Sequence, residues 1–450
     1  MDVDGFPYVV IVFRRENDYI EDIESKKENR GGPDMLNSTN IGSFIMSKRK
    51  ELGMTQQQLA QKLNISFQAV SKWENGTTYP NIEILYDLAT ALGVSVDEIL
   101  SGKERESEGF SYSKAGVNIA YTDRIKKEIA GHLQTADPRV LNGLGPFASL
   151  YDIGFPTIQE PVLVLKSEEP GSKQKLAVEY GYTESICHDM INHLVNDIAV
   201  MGAKPLAVLD TIVCGSAEKD TVKSLVKGIS EACRENECSL VGGETSVQPS
   251  VVGPGVYVLT SSIAGIVERA NIIDGSAIEE GDIVLAIASN GLHTNGYSLV
   301  RMLMDKMPNI KLDKIDGQTF IEQIMKVHTP YYKAIKDLFG KEALHGMAHI
   351  TGGGIEGNLC RVIPDGLCAR IDLSKLIVPN IFKYIQKAGH ILDEEMLHTF
   401  NLGAGFCLIV REQDRGSVIK HVRRFYDCYE IGIMECGNQK VVFEGKLNWL

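Results

Sequence analysis

The sequence predicts a multi-domain protein: an all-α unit of short helices, then a two-lobed α/β (α+β) body. Three observations carry that prediction. Residues 41–102 hold closely spaced helix-start signals and no strand pattern, whereas from Pro161 onward strand-like runs alternate with helix-length amphipathic segments. Between the two patterns lies the charged, Gly-ended stretch Lys103–Gly109, which reads as a linker over 103–110. With 450 residues, 44% hydrophobic and 23% charged, the chain has enough apolar material for two or three cores. A net charge of -13 excludes binding to nucleic acid by bulk electrostatics, so any such contact must be local. The nine cysteines are scattered, odd in number and free of C-x-x-C pairs, which points to a reduced, cytoplasmic chain rather than a disulfide framework or zinc knuckle. No run of about 18 apolar residues is available for a membrane span.

Residues 1–34 combine an apolar patch, Tyr8–Phe13, with the charged run Glu21–Arg30, and are read as an unstructured leader. Arg30-Gly31-Gly32 is what a purine-rich ribosome-binding sequence spells when translated. Two expectations follow: translation begins at Met35, or the leader is a disordered tail. From Ile41 the pattern is helical. Thr55 and Gln58 form a capping box, Leu59 and Leu63 share a face, Asn64-Ile65 makes a turn, and Ser66 caps a second helix through Trp73. With Ser71–Gly76, Pro80 and the helix Asn81–Leu92, this stretch resembles the Cro/repressor-type helix-turn-helix family. The resemblance implies that Phe67, Gln68 and Lys72 face the major groove of DNA and that Gln56 meets a phosphate. A helical bundle used only for dimerisation, with Val70 and Trp73 as core, is the alternative.

In the α/β body, Pro161–Leu165, Leu206–Val213, Leu240–Val241, Gly255–Ile266, Ile283–Ser289 and Gly405–Val410 read as strands. Ile186–Met201 and Thr221–Asn236 read as helices between them. A second composition of the same kind begins near Glu279, which splits the body into lobes over 111–275 and 276–450. Gly-rich polar stretches interrupt the strands at Gly171–Lys173, Gly242–Thr245, Leu292–Ser298, Ile350–Gly354 and Thr399–Gly403. Each is either an ordinary turn or a place where backbone approaches a phosphate. Neither a Walker loop nor a G-x-G-x-x-G after a strand occurs. On the helix Ile186–Met201, Asp189, His193 and Asn196 share one face with Asp197 beside them. Asp189, with Glu168 or Glu169, supplies the hard oxygen donors that Mg²⁺ on ATP phosphates requires; a solvated helix face is the alternative.

Taken in order, Tyr112, Ala115-Gly116-Val117, Asn196–Pro205, Leu240–Thr245, His293–Arg301, His349–Gly354 and Thr399–Gly405 resemble aminoimidazole ribonucleotide (AIR) synthetase, the phosphoribosylformylglycinamidine cyclo-ligase family. The resemblance implies a homodimer through the first lobe, ATP and Mg²⁺ as cofactors, and ring closure of formylglycinamidine ribonucleotide after phosphorylation of its formamide oxygen. It implies nucleotide contacts at Lys114, Gly171, Lys173, Gly242, Gly243, Glu244 and Thr245. It implies metal ligands at Glu168, Asp189 and Asp197, and catalytic or substrate contacts at His293, Asn295, Thr351, Gly352, Gly353 and Asn401.

The chain departs from the family pattern at Ser167-Glu168-Glu169-Pro170, where the family has T-D-G-V. It departs also at Asn118 and at Ser246–Ser250. A longer carboxylate still suits Mg²⁺, but Glu169 adds charge beside a triphosphate and Pro170 stiffens the loop. Two functions are therefore expected as alternatives. One is a cyclo-ligase of purine synthesis with an attached DNA-binding domain. The other is a catalytically impaired sensor that regulates transcription in response to a purine intermediate or nucleotide. In either case the expected DNA partner is an inverted-repeat operator read by two symmetry-related heads.

Overall fold

Capping chemistry fixes the helices of the first unit. Asn37 Oδ1 accepts the amides of Thr39 and Asn40 to start α1 (Ser38–Glu51), and the Thr55–Gln58 capping box starts α2 (Gln56–Lys62). Ser66 caps α3 (Phe67–Glu74); Gly93, left-handed at φ 70, ends α4 (Leu85–Leu92); a Ser95–Glu98 box starts α5 (Val96–Ser101). Their apolar faces meet in one core that includes Ile45, Leu59, Val70, Trp73, Leu88 and Ile99. Inside it Arg49 makes a two-pronged pair with Glu74, Nε to Oε1 at 2.5 Å and Nη2 to Oε2 at 2.8 Å.

This computed structural model describes residues 37–103, 137–142, 148–216, 219–438 and 440–449. The expectations for residues 1–34, for the linker beyond Lys103, and for Tyr112, Lys114, Ala115–Val117 and Asn118 lie outside the described residues. The chain divides into two units, Met1–Phe110 and Ser111–Leu450.

The second unit is built on two sheets. The first has the order β1-β4-β2-β3, from β1 (Pro161–Glu168), β2 (Lys204–Cys214), β3 (Ser239–Val247) and β4 (Tyr257–Glu268). β2 and β3 run parallel, so the chain must cross over between them, and α8 (Lys219–Glu235) provides the crossover. Two further helices, α6 (Lys173–Tyr180) and α7 (Thr183–Ala199), precede β2. The second sheet comprises β5 (Ile283–Ala288), β6 (Leu344–His349), β7 (Leu367–Asp372), β8 (Ala404–Val410), β9 (Cys428–Cys436) and β10 (Val441–Glu444), in the order β10-β7-β9-β5-β8-β6.

The inner strands β5 and β8 are continuous apolar runs and were legible as such. β6, β7, β9 and β10 are absent from the sequence-based expectation. β6 (LHGMAH) carries two histidines and a glycine, and β9 has Gly432 at a register shift against β5, so neither shows a clean period of two. β3 is longer than the expected Leu240–Val241, because Gly242–Thr245 continue the strand instead of forming a loop.

Candidate functional site

The polar side of α7 is interior: Asp189 and Asn196 are 0% exposed and His193 is 8% exposed, which corrects the expectation of a solvated helix face. The cause is backbone satisfaction. Residues 326–331 pass this helix without regular secondary structure, and their buried amides and carbonyls need partners. Asp189 Oδ1 accepts the His328 amide at 2.7 Å, and Asn192 Nδ2 donates to the His328 carbonyl at 2.7 Å. Asn196 donates to the Thr329 carbonyl and accepts the Tyr331 amide, both at 2.9 Å. Lys173, also fully buried, places Nζ 2.8 Å from both Asp189 oxygens and donates to the Lys326 carbonyl at 2.7 Å. Burial pushes the Lys173 ammonium down and the Asp189 carboxyl up, against their mutual attraction. Asp189 and Lys173 thus clamp the two lobes, and neither lines the cleft in which a metal or nucleotide role was expected of it.

That cleft, of ≈ 510 Å³, opens where the same two lobes meet. The first lobe contributes Lys166 and Glu168 from β1 and His193 and Asp197 from α7; the second contributes Asn295, His349, Thr351, Gly352, Asn358 and Arg361. Five residues expected from sequence therefore come together: Glu168, Asp197, Asn295, Thr351 and Gly352. Lys166 Nζ lies 3.0 Å from Glu168 and 3.1 Å from Asp197. Burial works against the Lys166 ammonium, but the two carboxylates hold it above its ordinary value. Asp197, despite its burial, is held well below the usual carboxylate range by His349, His193 and Lys166. Asn358 Nδ2 donates to the Gly354 carbonyl at 2.8 Å and the Gly352 carbonyl at 3.2 Å, pinning the Gly-rich turn. Gly354 admits no side chain, because φ is +62 and a Cβ would lie 1.8 Å from the Leu397 carbonyl oxygen.

The other expected residues fall elsewhere. His293, in the left-handed region at φ 59, is 1% exposed and stacks on His328 with ring centroids 4.0 Å apart; its Nε2 meets Thr329 Oγ1 at 3.1 Å. It lies behind the cleft, outside the lining, and so does Asn401. The Asn401 side chain binds Ser289 Oγ, the Gly403 amide and the Gly291 carbonyl. Gly353 is the left-handed residue that starts the helix Gly354–Leu359, and Gly171 turns the chain after β1. Gly242, Gly243, Glu244 and Thr245 lie on edge strand β3, outside the lining. Gly243 is needed there because a Cβ would sit 1.8 Å from Asp210 Oδ1, and burial, with Glu244 nearby, pushes the Asp210 carboxyl up to about 7.

Sequence reasoning missed Lys166, His328, His349, Asn358 and Arg361 as site residues. Only His349 carried a signal, as the first residue of the His349–Gly354 stretch. A buried chain joins several of them. Asp197 Oδ1 meets His349 Nδ1 at 2.7 Å, and His349 Nε2 meets His328 Nε2 at 2.9 Å. His328 Nδ1 faces Thr294 Oγ1 at 3.4 Å, and Thr294 Oγ1 meets His193 Nδ1 at 3.1 Å.

In the first unit, Phe67 (47% exposed), Gln68 and Lys72 of α3 face solvent, while Val70 and Trp73 are core. The Gln56 side chain, expected at a phosphate, instead donates to Glu74 Oε2 at 2.7 Å. Among the described residues, no helix is long and apolar enough to cross a membrane.

Comparison with known proteins finds matches in both units of the chain. Residues 162–267 and 279–444 match the families described as AIR synthase related protein, N-terminal and C-terminal domain, and residues 45–99 match the helix-turn-helix family. A phosphoribosylformylglycinamidine cyclo-ligase of Carboxydothermus hydrogenoformans is 40% identical over 343 residues, covering 74% of this chain and 99% of the relative. One from Neisseria meningitidis serogroup B is 39% identical over 314 residues, 69% of this chain and 91% of the relative. Among solved structures, hydrogenase maturation protein HypE in complex with ATP aligns with a TM-score of 0.52 at 16% identity, over 73% of this chain and 92% of that one. Thiamine-monophosphate kinase from Stenotrophomonas maltophilia aligns at 0.51 and 15%, over 74% and 98%, so these two share the fold.

Proposed function

We propose, for a chain that belongs to the phosphoribosylformylglycinamidine cyclo-ligase family and carries a helix-turn-helix domain, that it converts formylglycinamidine ribonucleotide to aminoimidazole ribonucleotide with ATP, and that its first unit binds DNA. In that reaction the γ-phosphoryl group passes to the formamide oxygen and the amidine nitrogen attacks the same carbon. The C–O bond then breaks, phosphate leaves with the former amide oxygen, and the attacking nitrogen loses a proton. The observation that carries this reading is the composition of the cleft. One side gathers cations, with Glu168 and Asp197 around Lys166 Nζ; the other offers Asn295, Thr351 and Arg361 as donors for a phosphorylated ligand.

The donor set fits Mg²⁺: Glu168 and Asp197 present hard oxygens that already enclose a positive charge, and they are the residues that would hold the ion. Bound there, a divalent cation neutralises phosphate charge. The chain's own residues orient the ribonucleotide, through Asn295 and the turn pinned by Asn358, against the transferring phosphoryl group. That HypE was solved with ATP supports a nucleotide site in this fold.

A steady-state assay of ATP-dependent product formation tests the proposal. Turnover of about 1 per second or more is expected, with at least a hundredfold loss in Asp197→Asn. Tight ribonucleotide or ATP binding without turnover would instead establish the sensor reading, which Glu169 and Pro170 beside the cleft favour. For the DNA unit, the exposed Phe67, Gln68 and Lys72 support major-groove reading of an inverted repeat by a homodimer. Leu163, Leu165 and Leu209, 51%, 71% and 49% exposed on the first sheet, support pairing through that lobe.

A further inference from the structure

The buried chain behind the cleft ends at His193. A carboxylate only accepts, so the Asp197–His349 contact at 2.7 Å is donated by His349 Nδ1–H. His349 Nε2 meets His328 Nε2 at 2.9 Å, and His328 Nδ1 and His193 Nδ1 both meet the Thr294 hydroxyl, at 3.4 and 3.1 Å. The network therefore engages His193 through Nδ1 and turns its Nε2 to the cleft. His193, a residue only 8% exposed, lines that cleft with Nε2 3.6 Å from Asp197 Oδ2 and 3.8 Å from Glu168 Oε2, and Nε2 has no hydrogen-bond partner among the described residues. One ring nitrogen and two carboxylate oxygens face one corner in which Lys166 Nζ is the cation.

We propose that His193 Nε2 is a nitrogen ligand of the divalent cation held by Glu168 and Asp197, its ring oriented through Thr294, His328 and His349, and that the site consequently prefers Mn²⁺ over Mg²⁺. This rests on the metal role given above to Glu168 and Asp197 and adds the third donor. Mg²⁺ selects oxygen and retains its water, whereas imidazole suits transition-metal ions, so one buried neutral imidazole among the donors shifts the preference. The hydrogen-bond chain is the outer support that metal-ligating histidines use to fix ring orientation. His349 is excluded as the nitrogen donor because both its ring nitrogens are engaged, by Asp197 and His328.

The test uses the full chain and Mn²⁺ alone, with electron spin-echo modulation as the readout. The wild type is expected to show ¹⁴N coupling from one directly bound imidazole and to bind Mn²⁺ at least about tenfold more tightly than Mg²⁺. In His193→Gln the coupling should vanish and the preference should fall to near unity, with Mn²⁺ still bound; in Asp197→Asn binding itself should weaken. Mn²⁺ bound without ¹⁴N coupling in the wild type, or coupling that survives in His193→Gln, overturns the assignment of His193 and leaves the carboxylate site intact. Failure of the wild type to bind either ion overturns both.

Discussion

Lys173 and Asp189 show how a polar residue type admits two meanings. An aspartate four residues before a histidine on a helix is compatible with a metal ligand, and with a buried partner for an ammonium and a backbone amide. The structure has the second, with both side chains 0% exposed. Asp189→Ala should therefore strand a buried ammonium and the His328 amide. The expected destabilisation is about 3–5 kcal/mol, the range for breaking one partner of a buried pair, measured by denaturant unfolding. The double variant Lys173→Met/Asp189→Ala should recover part of it, and a loss below about 1 kcal/mol in the single variant would show that the clamp contributes little. Glu168, Asp197, Asn295, Thr351 and Gly352 were legible because they stand in recognisable stretches. Lys166 and Arg361 were not, since a lysine alternating with leucines on a strand, or an arginine after a short helix, looks like any surface cation until the lobes close.

At the scale of elements, short connections and caps decided what could be read. α2, α3 and α5 begin at Thr55, Ser66 and Ser95 because each side chain accepts from the amide three residues on. That local rule makes the first unit legible. Lys72, exposed on α3, is expected to act at a phosphate or base edge: Lys72→Ala should weaken operator binding and lower the salt dependence by about one ion. Unchanged affinity and slope would remove it from the interface. The interior histidines form the least legible element, since His293, His328 and His349 come from three separate segments. Burial first, then the neighbouring imidazoles, holds His293 and His328 well below the ordinary histidine value. In the unfolded chain these side chains take up protons below about pH 6.5 while the folded chain does not, so stability is full above that pH and is lost as pH falls through it. Each should cost up to about 1.4 kcal/mol per pH unit between pH 6.5 and 5. Denaturation midpoints that do not move across this range would contradict neutral, buried His293 and His328.

The whole molecule places a cleft between two lobes joined by α7. Its polar side satisfies the backbone of residues 326–331 at one stretch and lines the cleft with His193 and Asp197 at the next. Clamp and cleft lining share one helix, which is why the polar face read from the sequence did not separate the buried Asp189 from His193 and Asp197 at the cleft. For the helix-turn-helix unit, the proposed dimerisation through the first lobe predicts that the full chain binds an inverted repeat far more tightly than a Met35–Gly102 fragment. Titration of both against the same duplex checks this, and equal affinities would show that the enzyme lobe is not the clamp. In the proposed reaction this cleft activates a formamide oxygen with ATP and expels it as phosphate. This is tested most directly with formylglycinamidine ribonucleotide carrying ¹⁸O in its formyl group, turned over with ATP, the inorganic phosphate being analysed by mass. That reaction requires one ¹⁸O in each phosphate released with the imidazole product; unlabelled phosphate accompanying ring closure would contradict it.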